Sequence, residues 1–262
     1  MSKITVPIGP QHPLLKEPLS FLVSLEGEKV TDSVLRLGYV HRGIEKLAEQ
    51  RTYIQNIYLI ERICGICSHI HSTTYCQSVE ALLKLEVPKR GLYIRMLLCE
   101  LERIHSHLLW LGVLAKNIGL NTLFMYAWRD REIVLNIMEE ISGGRVSHSV
   151  NIIGGVQVNL NESHLSLLQQ NLKELNKRVK EILRSIENDR SFQARTQKIG
   201  HLSLEDIKRY CVVGPVARAS GLDIDIRRDA PYAAYDELNF EVPLMTEGDV
   251  WARSILRILE TL

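Results

Sequence analysis

The feature that most constrains this chain is a change in hydrophobic periodicity near residue 45. Before it, strand-like runs occupy 4–8, 19–25 and 30–40, separated by Gly9-Pro10-Gln11-His12-Pro13 and by Glu26-Gly27-Glu28. After it, apolar residues recur at three- and four-residue spacing over 72–85, 89–115, 128–141 and 161–186, which predicts four long helices. The expected class is α+β: a small N-terminal antiparallel β-sheet region (1–44) packed on a long-helix bundle (45–262), as one structural unit. Within the bundle, 147–160 is too Gly-rich around Ile152-Ile153-Gly154-Gly155-Val156 for a helix interior and reads as a buried turn or short strand. Residues 211–246 read as irregular. A last helical pattern starts at Glu247 and reaches Leu262 without a capping signal. The fold is therefore expected to be incomplete at that end, with the apolar residues from Trp251 to Leu259 exposed or covered by another chain.

Lys and Arg together number 32 against 31 Asp and Glu, so the overall basic excess that marks electrostatic nucleic-acid binding is absent. The longest apolar run, 108–115, is far short of the roughly 20 residues that span a bilayer. Met1-Ser2-Lys3 leads straight into strand-like sequence, unlike a secretory signal. Five cysteines are an odd number, which favours reduced thiols over a disulfide framework and so a cytoplasmic setting.

The segment richest in chemistry is Arg62-Ile63-Cys64-Gly65-Ile66-Cys67-Ser68-His69-Ile70-His71. If it opens the helix that continues through 85, Cys64, Cys67 and His71 fall within about 60° of one another on one face. Thiols at a helix N-terminus are favoured as thiolates, the form that binds soft metals. Zinc half-sites and redox dithiols share the CxxC spacing. Against zinc, His69 and His71 stand two apart, closer than paired zinc histidines usually do; against a thioredoxin-like dithiol, helical sequence lies on both sides. Spacing alone leaves these readings open.

The same segment resembles the N-terminal cysteine motif of nickel-iron hydrogenase large subunits. Further matches run along nearly the whole chain: Gly9 to Pro13, His41-Arg42-Gly43-Ile44-Glu45, Arg129-Asp130-Arg131-Glu132, Gly154-Gly155-Val156, Gly214 to Gly221, and Arg228-Asp229-Ala230-Pro231-Tyr232 with Tyr235-Asp236. This set is similar both to the membrane-bound, energy-converting hydrogenases and to the quinone-site subunit of respiratory complex I. The complex I subunit lacks both thiols, and its quinone-binding histidine and tyrosine would align with Lys16 and Gly65. The resemblance is therefore to a hydrogenase.

That resemblance implies a nickel-iron centre with CO and CN ligands on the iron, catalysing reversible proton reduction and H2 oxidation. Cys64 would be a terminal nickel ligand and Cys67 a ligand bridging nickel and iron. His71 would donate a hydrogen bond to the bridging sulfur. Glu45 would carry protons from the terminal thiolate, as a buried carboxylate of raised pKa. His41, Arg42, Arg218, Arg228 and Asp229 would line the site or its proton path. Cys76, Cys99 and Cys211 are expected to be buried structural thiols. Partners implied are an iron-sulfur small subunit with 4Fe-4S clusters and the other hydrophilic and membrane subunits of a complex I-like assembly, the chain lying peripherally on the cytoplasmic side of the membrane. The family's second cysteine pair, in a DPCxxC-like segment, is expected beyond these residues, so two thiolates alone should hold no stable two-metal centre. The alternative implied is a non-catalytic or sulfur-reducing relative that acts as a docking scaffold.

Overall fold

The computed structural model describes residues 4–13, 15 and 18–262. Lys16 lies outside the described residues. The chain forms two units, Met1–Arg51 and Thr52–Leu262, so the division falls later than the change of periodicity at residue 45.

In the first unit, β1 (Ile4–Ile8), β2 (Ser20–Glu26) and β3 (Lys29–Arg36) make an antiparallel sheet in that order, with Ile4 opposite Leu25 and Ser20 opposite Arg36. The expected third strand ran to residue 40. It stops at Arg36 because Gly38 adopts a positive φ of 99°, a turn conformation open to glycine, and the His41 N–H bonds back to its carbonyl. Helix α1 (Ile44–Glu49) completes this unit.

The second unit is built on long helices. It begins with α2 (Tyr53–Glu61), whose start is fixed by a reciprocal cap: Thr52 Oγ1 accepts from the Gln55 N–H, and Gln55 Oε1 from the Thr52 N–H. Then follow α3 (Ser68–Leu83), α4 (Lys89–Asn117), α5 (Asn121–Ser142) and α6 (Glu162–Asn188). Helices α4 and α5 are joined by three residues and form the tightest pair, possible because α4 carries Gly112 where Trp128 crosses it. Leu101, Leu108, Ile137, Met138, Leu175 and Ile182 from α4, α5 and α6 share one core. Each such side chain contributes about 1.5–3 kcal/mol on burial.

The Gly-rich segment is a two-residue ladder, β4 (Asn151–Ile152) with β5 (Gly155–Val156). A buried ion pair holds it. Arg95 donates to Glu80 at 2.6 and 2.9 Å and to the carbonyls of Ile152 and Gly155 at 2.8 Å, while Glu80 accepts the Gly154 N–H at 2.7 Å.

Short helices that periodicity did not reveal follow: α7 (Arg190–Thr196), α8 (Leu204–Arg209), α9 (Gly214–Arg218) and α10 (Ile226–Asp229), the last two inside the segment expected to be irregular. Each is of one or two turns, too short to display a repeat. The expectation for the last helix is corrected. Helix α11 (Val250–Leu259) does not present its apolar face for another chain: Ala252, Ile255, Leu256 and Ile258 are buried in this chain's own core, and Asp249 caps its start by accepting the Ala252 N–H at 2.8 Å.

Candidate metal centre

The loop from α2 to α3 is anchored at both ends before any ligand is considered. Glu61, the last residue of α2, is almost fully buried and accepts the N–H and the Oγ of Ser149, the latter at 2.8 Å. At the other end, Ser68 donates to the Val146 carbonyl at 2.5 Å. Between them Gly65 passes close to Val146, whose Cγ1 would lie 3.3 Å from a Cβ there.

Three candidate ligands converge in this frame. Cys64 stands in the loop, Cys67 is the N-cap of α3, and His71 follows one turn into the helix. Their ligand atoms all lie within 4.8 Å of one another, each side chain partly exposed, and this is the one such group among the described residues. Cys67 Sγ donates to Cys64 Sγ at 2.6 Å, and Cys64 Sγ accepts from the Ile66 N–H at 3.4 Å. Burial, then the bond to Cys64 and the charges of Cys64 and Glu102, push the Cys67 thiol up to about 12. A soft divalent cation held here would have to displace the proton of the Cys67 thiol.

Helix α4 supplies the wall behind the thiols. Glu102 accepts the His69 N–H at 2.7 Å and the Ile70 N–H at 2.9 Å. Burial raises its carboxyl to about 7 against those bonds. His69 is buried, bonds the Arg95 carbonyl at 3.0 Å and faces Asn151 at 3.3 Å. Neither Glu102 nor His69 was singled out from sequence, although a signal existed for Glu102: Leu98, Leu101, Glu102, His105 and Leu108 fall at the spacing of one buried helix face, and a carboxylate there must find partners.

The other sequence candidates are placed elsewhere. Glu45 stands in the first turn of α1, in the N-terminal unit, and is exposed rather than buried, as are His41 and Arg42. Arg218 is buried but spends its donors on Glu260, the Ile224 carbonyl and Asp225. Arg228 and Asp229 pair with each other at 2.8 Å on the surface, Arg228 also reaching Asp223. Of the remaining thiols, Cys76 and Cys99 are buried as expected; Cys211 is exposed, in a turn of positive φ after α8, and is no core residue.

Paired thiols at the start of a helix, held in a unit of long helices, form a donor set suited to a soft metal. The comparisons make this specific. Residues 42–116 match the family model of nickel-dependent hydrogenase, and residues 117–262 that of the respiratory-chain NADH dehydrogenase 49 Kd subunit. The chain belongs to this joint family of hydrogenase large subunits and complex I quinone-site subunits. It is 40% identical to the carbon monoxide-induced hydrogenase of Rhodospirillum rubrum over its whole length, covering 73% of that protein. It is 42% identical to an NADH-quinone oxidoreductase subunit of Aquifex aeolicus over 96% of its length, covering 43% of the relative. Among solved structures it is similar to a chain of the membrane-bound sulfane sulfur reductase, an archaeal respiratory membrane complex, with a TM-score of 0.91 and 31% identity over 99% of this chain and 69% of that one.

Proposed function

We propose that this chain is the catalytic large subunit of a membrane-bound, energy-converting nickel-iron hydrogenase. The observation that carries the reading is the convergence of Cys64, Cys67 and His71 within the residues that match nickel-dependent hydrogenase. A quinone site has no need of two thiols; a soft metal does. The donor set fits one side of a nickel-iron centre, which when bound supplies the redox chemistry of reversible proton reduction. Cys64 and Cys67 would hold it, and His71 would orient a ligating sulfur by a hydrogen bond. Neither Cys76, Cys99 nor Cys211 joins the group, so the further thiolates are to come from outside these residues. Glu45 is the proposed proton carrier, and Arg228 and Asp229 are proposed to line the site or its proton path. Arg218 acts through the fold.

The partners in this reading are an iron-sulfur small subunit with 4Fe-4S clusters and the membrane and hydrophilic subunits of a complex I-like assembly, the chain binding peripherally on the cytoplasmic side of the membrane. Two observations support it: the named relatives are a hydrogenase, a quinone oxidoreductase subunit and a chain of a respiratory membrane complex, and no helix among the described residues is long and apolar enough to cross a membrane.

A second reading, a sulfur-reducing relative, is favoured by the likeness to the sulfane sulfur reductase chain. Metal analysis and two assays on the native complex separate the readings. Stoichiometric nickel with H2-dependent dye reduction, both lost in Cys64→Ser and Cys67→Ser, is the expected result. Absence of nickel together with reduction of sulfane sulfur would replace the first reading by the second.

A further inference from the structure

A helix N-cap ordinarily uses its own side-chain oxygen to satisfy the N–H groups of the second and third helical residues. Helix α3 has Cys67 in that position, and the cysteine makes no such bond. The two donors, on His69 and Ile70, are instead taken by the two carboxylate oxygens of Glu102, which reaches across from α4. Glu102 is itself buried, with Ser68 Oγ 3.5 Å from Oε1. The first turn that this carboxylate closes carries Cys67, and the His71 N–H bonds the Cys67 carbonyl at 3.3 Å. Two of the three converging ligands therefore ride on a turn whose cap comes from another helix.

We infer that Glu102 is a positioning residue of the Cys64–Cys67–His71 group: by capping α3 from α4 it frees the N-cap position for a sulfur and fixes the angle at which Cys67 and His71 meet Cys64. The inference rests on the metal-centre reading for its purpose, though not for its geometry. An uncapped terminal turn frays before the helix behind it melts, so loss of Glu102 is felt first by Cys67. Glu102→Gln is nearly isosteric; it keeps an acceptor for one N–H and turns an amide toward the other. Glu102→Ala removes both acceptors.

The test uses the full 262-residue chain carrying Cys211→Ser, so that the exposed thiol does not interfere. Cobalt(II) is titrated in and thiolate-to-cobalt charge-transfer absorption followed. Separately, the Cys64–Cys67 dithiol is equilibrated with glutathione, two thiols and one glutathione disulfide giving one intramolecular disulfide and two glutathione. Glu102→Gln is expected to weaken cobalt binding about 10-fold and Glu102→Ala more, the scale of losing a group that orients a ligand. The dithiol's effective concentration should fall in the same order. If Glu102→Ala does not fold, Glu102→Gln decides alone. Wild-type affinity, band position and dithiol equilibrium in the folded Gln variant, even with a lower melting temperature, would reduce Glu102 to a purely structural cap and overturn the inference. If the wild-type chain, which carries only part of the ligand set, gives no charge-transfer band, the dithiol equilibrium alone decides the positioning role, and the metal-centre reading is decided by metal analysis of the native complex.

Discussion

Arg218 and Glu260, 42 residues apart, meet through two hydrogen bonds, Arg218 Nε and Nη2 donating to Glu260 Oε1 at 2.9 and 2.6 Å. Glu260 Oε2 takes His107 at 3.0 Å and Arg103 at 3.2 Å, so one carboxylate ties α9 and α4 to the end of α11. Burial opposes its ionisation, but the bond from His107 and the charge of Arg218 outweigh burial and hold the carboxyl at about 2.

Glu260→Ala removes the partner and leaves the buried Arg218 with the Ile224 carbonyl and, as its charged partner, Asp225 at 3.4 Å. Breaking one side of a buried pair costs about 3–5 kcal/mol, because the remaining charge is desolvated without compensation. Guanidinium unfolding should show a loss of that order. A loss below about 1 kcal/mol would mean that Asp225 alone suffices.

Stability should fall on mild acidification. Burial pulls the imidazole of His69 down to about 3 and that of His105 down to about 4. The unfolded chain protonates both near about 6.5, so between those values the unfolded state binds more protons. Their contribution is fully present above that pH and is lost as pH falls towards 4 and 3. Glu102, raised to about 7 by burial, has the opposite sign, its contribution being present at low pH and lost as pH rises through 7. His69 and His105 against Glu102 give an expected net loss of about 1–2 kcal/mol between about pH 6.5 and 5, to which His107 and His148, also lowered by burial, add. Glu102→Gln should steepen it. Unfolding midpoints that are flat over this range would contradict the neutral, buried state of both histidines.

Gly112→Ala sets helix propensity against packing. Alanine is favoured over glycine in a helix interior by up to about 1 kcal/mol, but its Cβ would come 2.5 Å from Trp128 Cδ1 and 2.7 Å from Nε1. Overpacking of this kind costs about 1–3 kcal/mol, so the net effect is expected to be a lower melting temperature. A higher one would show that the Trp128 ring, tilted 48° to Phe124 at a centroid distance of 4.9 Å, moves aside without cost.

Glu45→Gln tests proton transfer in the assembled enzyme. The amide keeps shape and hydrogen-bonding reach but cannot take up a proton. Metal content should survive while H2 turnover drops about 100-fold or more, the scale of losing a positioned general base. Full turnover with normal metal content would remove Glu45 from the mechanism.

What the sequence determined by itself is what local repetition encodes. The strands at the N-terminus, the four long helices and the short turn around Gly154 follow from periods of two and 3.6 and from glycine's tolerance of positive φ. Nearness of Cys67 and His71 follows from spacing along one helical turn, and the family from the motif around them, whereas Cys64 reaches them from a loop and not, as expected, from the same helix face. The tertiary structure alone decided who satisfies whom. Nothing near Cys67 announces that its helix is capped by Glu102 from a distant stretch of α4, nothing near Arg218 points to Glu260, and the burial of Ile255 and Ile258 depends on faces of α4 and α6 that lie far away in the chain. Buried polar groups must be paired, but the rule names no partner; the partner is fixed only when distant helices come to rest against each other.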